Sequence, residues 1–171
     1  MIDVQAVIER YGMQENTAEG GYFATVYTAP LLLPANYGTR TPNQQLPICS
    51  SIYYLITSES FSALHRVTSD MLYHFYSGGP VEVLLLDSFN GTRRHRLLEL
   101  GSDRTTNQQP TLAINAGTWM GSRVKDDGAF SLMGVSMAPA FDPANYEVGN
   151  RAVLSAQFPS AAKLIERYTR A

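Results

Sequence analysis

The sequence predicts an all-β domain, an antiparallel sandwich or jelly-roll barrel with a short helix at each end. Three observations lead there. Nine short runs rich in β-branched and aromatic residues fill the middle of the chain. Turn residues separate these runs at hairpin spacing. The 3.6-residue periodicity of an amphipathic helix is confined to the two ends.

Taken in order, Asp3 is placed to cap a helix whose Val4, Val7, Ile8 and Tyr11 share a face, and Gly12 stops it. Strands are expected at 22–28, 51–57, 61–67, 71–77, 81–88, 92–100, 111–114, 118–124 and 131–137. Ser58-Glu59-Ser60, Gly78-Gly79-Pro80, Asn90-Gly91 and Asp127-Gly128 supply tight turns, while 30–47 and 101–110 read as longer polar loops. Pro159 and Ser160 open a last helix with Ala161, Leu164, Ile165 and Tyr168 on one face; Lys163, Glu166, Arg167 and Arg170 face water. No linker or second apolar block divides the chain, so residues 1–171 are expected to form one domain.

Composition narrows the function classes. The chain has 171 residues, 44% hydrophobic and 16% charged, enough apolar content for a packed core. A formal net charge of -2 leaves no basic surplus for nucleic acid or an anionic membrane, so neither is expected as a partner. Cys49 is the only cysteine, which excludes an intrachain disulfide and a thiolate cluster. The N-terminal stretch is too short and charged for a signal peptide, and no apolar run approaches the ~20 residues that span a bilayer. These features point to a cytoplasmic protein.

The frame His65-x-Val67-x3-Met71-x6-Gly78 has the spacing of the first cupin motif. With Glu19-Gly20-Gly21-Tyr22-Phe23, the run 62–67, Asp70 with Tyr73-His74-Phe75-Tyr76, Ala116-Gly117-Thr118-Trp119, and the run 134–141, it resembles the cupin-5 (DUF985) family. The resemblance implies an antiparallel double-stranded β-helix, the cupin jelly-roll barrel, usually as a homodimer. It also implies a ligand cavity bordered by the Glu19 segment.

This sequence departs from the metal-binding members of the superfamily at two positions. Met71 and Met120 stand where those proteins carry Glu and His. Period-two alternation turns Ala63, His65, Val67, Met71, Tyr73 and Phe75 inward and Leu64, Arg66, Leu72 and His74 outward. One inward histidine and two weak thioethers fall short of the three or four donors that zinc or an iron oxygenase site requires, so no metal and no cofactor are expected.

The chemistry would then rest on His65, whose ordinary pKa of about 6.5 suits acid–base work near neutrality. The structural alternative is a hydrogen-bonded filler. Metal-free nucleotide-sugar epimerases share the barrel class and use a histidine base, an orienting carboxylate and a tyrosine. By that analogy His65 is the base, Tyr73 or Tyr54 the proton donor, and Asp70 or Asp142 the orienting acid, with His65 and Tyr73 the preferred catalytic pair. Glu19, Tyr22, Phe23, Arg66, Met71, Phe75, Thr118, Trp119, Met120 and Phe141 are the candidate ligand-binding residues. Aromatics would clamp a ring, and Arg66, Arg40 or one of Arg93, Arg94 and Arg96 would reach phosphate. The expected partner is therefore a small molecule of nucleotide or sugar-nucleotide type. Non-catalytic binding and a metal-dependent oxygenase are the alternatives. Outward Leu64, Leu72 and Tyr76 predict a homodimer that covers them.

Overall fold

A computed structural model describes residues 4–125 and 129–170. The expected Asp3 cap and Asp127-Gly128 turn lie outside the described residues. Helix α1 (Val4–Tyr11) leads into a run of strands: β1 (Gln14–Glu15), β2 (Tyr22–Thr28), β3 (Ser50–Thr57), β4 (Phe61–Arg66) and β5 (Asp70–Gly78). These are followed by β6 (Val81–Phe89), β7 (Thr92–Leu100), β8 (Thr111–Ile114), β9 (Trp119–Val124), β10 (Phe130–Ala138) and β11 (Glu147–Val148). Helices α2 (Arg151–Gln157) and α3 (Ala162–Arg167) end the chain. All nine expected strands form, with ends within two residues of the sequence reading.

The strands make two antiparallel sheets that face one another, ordered β1-β2-β3-β10-β5-β8 and β11-β4-β9-β6-β7. Their inner faces carry the main core: Ile56, Val81, Val83, Leu85, Leu100, Met120 and Met133 are all but removed from water. At roughly 1.5–3 kcal/mol per large buried side chain, this layer is the chief source of stability.

The helices cover the outer faces. An isolated eight-residue helix is marginal in water, and α1 persists because Val4, Val7, Ile8 and Tyr11 pack on Leu55, Phe130 and Leu132. On the other side α2 and α3 bury Leu64, Leu84, Leu86 and Trp119 under Leu154, Ile165 and Tyr168. Leu64 was expected to expose apolar surface for a dimer. It does point away from the barrel, but these helices cover it completely. Leu72 and Tyr76 are exposed, as expected. Helix α2 was not foreseen. It presents one buried residue, Leu154, too little for an apolar stripe, and begins where Asn150 accepts a bond from the Val153 N–H (3.0 Å).

One irregularity shapes the site. Ser62 pairs with Ser122 and His65 with Met120, so β4 carries one residue more than β9 between these pairs. This bulge puts both Ser62 and His65 on the inner face, which strict alternation forbids. The freed Ala63 N–H donates to the Glu19 carbonyl (2.9 Å) and so ties the strand to the loop before β2.

A candidate ligand cavity in the barrel

A cavity of about 470 Å³ opens at one end of the barrel. Strands β2, β3, β10 and β5 wall it with Phe23, Tyr54, Val135 and Tyr73, and β4 contributes His65 from the opposite sheet. The segment between β10 and β11 completes the mouth with Phe141 and Tyr146. The lining is mostly apolar, a composition suited to small-molecule recognition.

His65 is buried, and its Nδ1 lies 2.8 Å from the Ala63 carbonyl oxygen. A carbonyl oxygen can only accept, so Nδ1 carries the proton and donates. The other nitrogen, Nε2, makes no hydrogen bond among the described residues and is left for a ligand. Tyr146 stacks on the imidazole (centroids 5.3 Å, planes 25° apart), and Phe141 meets Tyr146 edge-on at 6.1 Å. A continuous aromatic wall thus runs from the half-exposed Phe141 to the histidine.

Glu19 is the carboxylate nearest this imidazole. Its Oε1 lies 3.8 Å from His65 Nδ1, beyond hydrogen-bond reach but within strong Coulombic range. Ser62 Oγ donates to the same oxygen, and Asn16 Nδ2 donates to Oε2 (3.3 Å). Two glycines bring Glu19 there: Gly20 (φ +112°) and Gly21 (φ +74°) lie in the left-handed region and press against the Phe61 and Leu55 carbonyls, where a Cβ would clash. Arg170, near the other end of the chain, clamps this loop by donating to the carbonyls of Ala18 (3.2 Å) and Glu19 (3.1 Å).

Three tyrosines ring the cavity as neutral phenols. Burial first, and the Glu19 charge second, push Tyr54 and Tyr73 well above the ordinary tyrosine value; the same two causes in the same order raise Tyr146. Tyr54 donates to the Gly20 carbonyl (2.7 Å) and Tyr73 weakly to Met120 Sδ (3.6 Å). The Tyr146 hydroxyl is buried without a partner among the described residues.

The cupin-superfamily (DUF985) family profile matches residues 5–149. The chain belongs to this family. The cupin's solved structural relatives include a Shewanella oneidensis protein (23% identity, 99% of both chains, TM-score 0.84) and a hypothetical protein from Leishmania major (22% identity, 99% and 100%, TM-score 0.85). Oxalate decarboxylase from Bacillus subtilis shares the fold at 13% identity over 91% of this chain and 37% of its own (TM-score 0.55). No functionally curated protein matches the sequence significantly.

Solved relatives with this barrel include an enzyme with Mn(II) centres, so the donor set of this cupin matters. It does not fit a metal. Among the described residues no three His, Cys, Asp or Glu side chains converge. His65 offers one nitrogen, Met120 sits directly opposite it in register, and Met71 lines the cavity where a carboxylate would be needed.

Tyr54, the alternative proton donor, lines the cavity, and so do six of the twelve preferred catalytic and ligand-binding candidates: Glu19, Phe23, His65, Met71, Tyr73 and Phe141. The other six lie elsewhere. Tyr22 packs under α1, Phe75 against the inner core, and Trp119 under the C-terminal helices. Arg66 faces outward, pairs with Glu147 (2.7 Å) and lies over Trp119 at 4.5 Å. Thr118 is buried in the turn before β9, its N–H donating to Asn115. Met120 is fully buried behind the lining, paired in register with His65 and accepting from the Tyr73 hydroxyl. Neither Asp70 nor Asp142 orients His65. Asp70 accepts from the Ala116 N–H (2.7 Å), and Asp142 accepts from Thr39 Oγ1 (2.8 Å) and caps the 143–145 turn. Sequence reading missed Tyr146, on a short irregular segment without periodicity, and Thr25, which alternation from Phe23 would have found.

Proposed function

We propose that this cupin binds a small ring-bearing carbonyl compound in the barrel without a metal and transfers a proton on it, as an epimerase or isomerase would. The observation that carries this reading is the tautomer of His65: with Nδ1–H spent on Ala63, a neutral ring at the cavity wall leaves Nε2 without a hydrogen. When Nε2 takes a proton from carbon beside the carbonyl, the positive charge forms 3.8 Å from the Glu19 carboxylate. The proton donor in this reading is Tyr73, a neutral phenol that lines the cavity from the opposite sheet.

The sugar-nucleotide reading narrows accordingly. No lysine or arginine lines the cavity among the described residues, and Arg94 and Arg96 are paired with Asp87. A sugar nucleotide would place its keto-sugar inside and its phosphates outside. In deuterated water a keto-sugar nucleotide is expected to gain deuterium beside the ketone, and His65→Ala to abolish the gain. Unchanged exchange in that variant removes His65 from the chemistry. A homodimer through the exposed Leu72 and Tyr76 face remains part of the proposal, as does a cytoplasmic location.

A further inference from the structure

We propose that the ligand group seated in this cavity is an organic ammonium, which on the sugar-nucleotide reading means an amino sugar. The inference rests on the cavity being the ligand site and adds the charge its occupant carries. Among the described residues, the rings of Phe23, Tyr54, Tyr73, Phe141 and Tyr146 line a space whose one carboxylate is Glu19. Rings of this kind attract a cation through their negative faces, and a desolvated cation gains more from them than an exposed one.

Two residues of the lining, His65 and Glu19, have acceptor atoms to spare. His65 Nε2 has a free lone pair when the ring is neutral, and Glu19 retains lone pairs beyond the bonds from Ser62 and Asn16. An ammonium supplies the N–H donors these atoms lack. A carboxylate or phosphate supplies none and would meet the Glu19 charge. Arg170 keeps its charge but is outside the lining: it donates to the Ala18 and Glu19 carbonyls and lies over Phe61, 5.5 Å from the ring centre. The Glu19 charge raises all three cavity phenols, opposed at Tyr146 by the Arg170 guanidinium, which agrees with a net negative lining.

Three probes of similar shape and different charge test this: benzylammonium, benzyl alcohol and phenylacetate. Affinity is measured by calorimetry and cavity occupancy by the NMR shift of the His65 ring. Benzylammonium is expected to perturb His65 and to bind about tenfold tighter than benzyl alcohol, a ratio equivalent to about 1.4 kcal/mol. Phenylacetate is expected not to bind. Glu19→Gln, checked for native circular dichroism, is expected to erase the preference for the cation, and Glu19→Asp to restore part of it. Equal binding of benzylammonium and benzyl alcohol with His65 perturbed overturns the charge assignment and leaves the cavity reading intact. Preference for phenylacetate, or no perturbation of His65 by any probe, also overturns the assignment. The proton-transfer reading is decided separately by the deuterium experiment.

Discussion

The buried phenols make alkaline pH a sensitive test of the site. Tyr54, Tyr73, Tyr146 and Tyr168 are all held above the ordinary tyrosine value, with burial the first cause in each. Because the folded chain keeps these protons longer than the unfolded one, their contribution to stability is intact below the unfolded value of about 10. It is lost as pH rises above that value, since the unfolded state alone ionises. At about one unit above it, each tyrosine costs about 1.4 kcal/mol and the four together about 6 kcal/mol, comparable to the 5–15 kcal/mol that stabilises a typical domain. Urea unfolding from neutral pH to about pH 11 should therefore show a steep fall in stability. Tyrosinate absorbance should show four phenols ionising only as the fold is lost. Tyr73→Phe forfeits one weak thioether contact and should recover about 1.4 kcal/mol relative to the parent at the alkaline end. Stability that stays level through this range, or four phenols that ionise in the intact fold, would refute the picture of buried, neutral tyrosines around the cavity and under the C-terminal helices.

Gly20→Ala forces a β-carbon into the Phe61 carbonyl at a φ of +112°, so it should cost about 1–3 kcal/mol in backbone strain alone and move Glu19. Urea titration and the His65 NMR signal would report both effects, and a neutral outcome would show that the loop does not need glycine. Ile165→Ala empties a site sealed between α3 and the five-stranded sheet and should cost about 2–5 kcal/mol by the same titration; a loss below 1 kcal/mol would mean the helix is loosely seated. Light scattering should give the mass of a dimer, and Leu72→Asp should shift it toward monomer. A monomeric parent protein would count against the dimer.

The fold was largely legible in the sequence because its strands are short runs set at hairpin spacing by turns that carry glycine, asparagine and proline. The run 22–28 and the strand Tyr22–Thr28 coincide, as do 92–100 and Thr92–Leu100. The site was half legible. Alternation set His65, Met71 and Tyr73 on the inner face, but it could not foresee the extra residue in β4 that also turns Ser62 inward. The carboxylate beside His65 comes from Glu19, far away in sequence, because two left-handed glycines and Arg170 fold that loop onto β4. Tyr146 stacks on His65 from a segment with no periodic signal at all. Arg66, which alternation already turned outward, and Trp119 stay out of the cavity lining: aromatic and basic residues beside a cavity strand need not face the cavity, and these two make an outer contact with each other.

The central claim is that a lone imidazole with a bare Nε2, and no metal, does the work of this cupin cavity. Elemental analysis of protein purified without chelators, combined with nitrogen NMR of the His65 ring, tests it most directly. The account predicts no stoichiometric Mn, Fe, Zn, Ni or Cu, and a ring protonated at Nδ1 when neutral. One metal ion per chain, lost in His65→Ala, would contradict it.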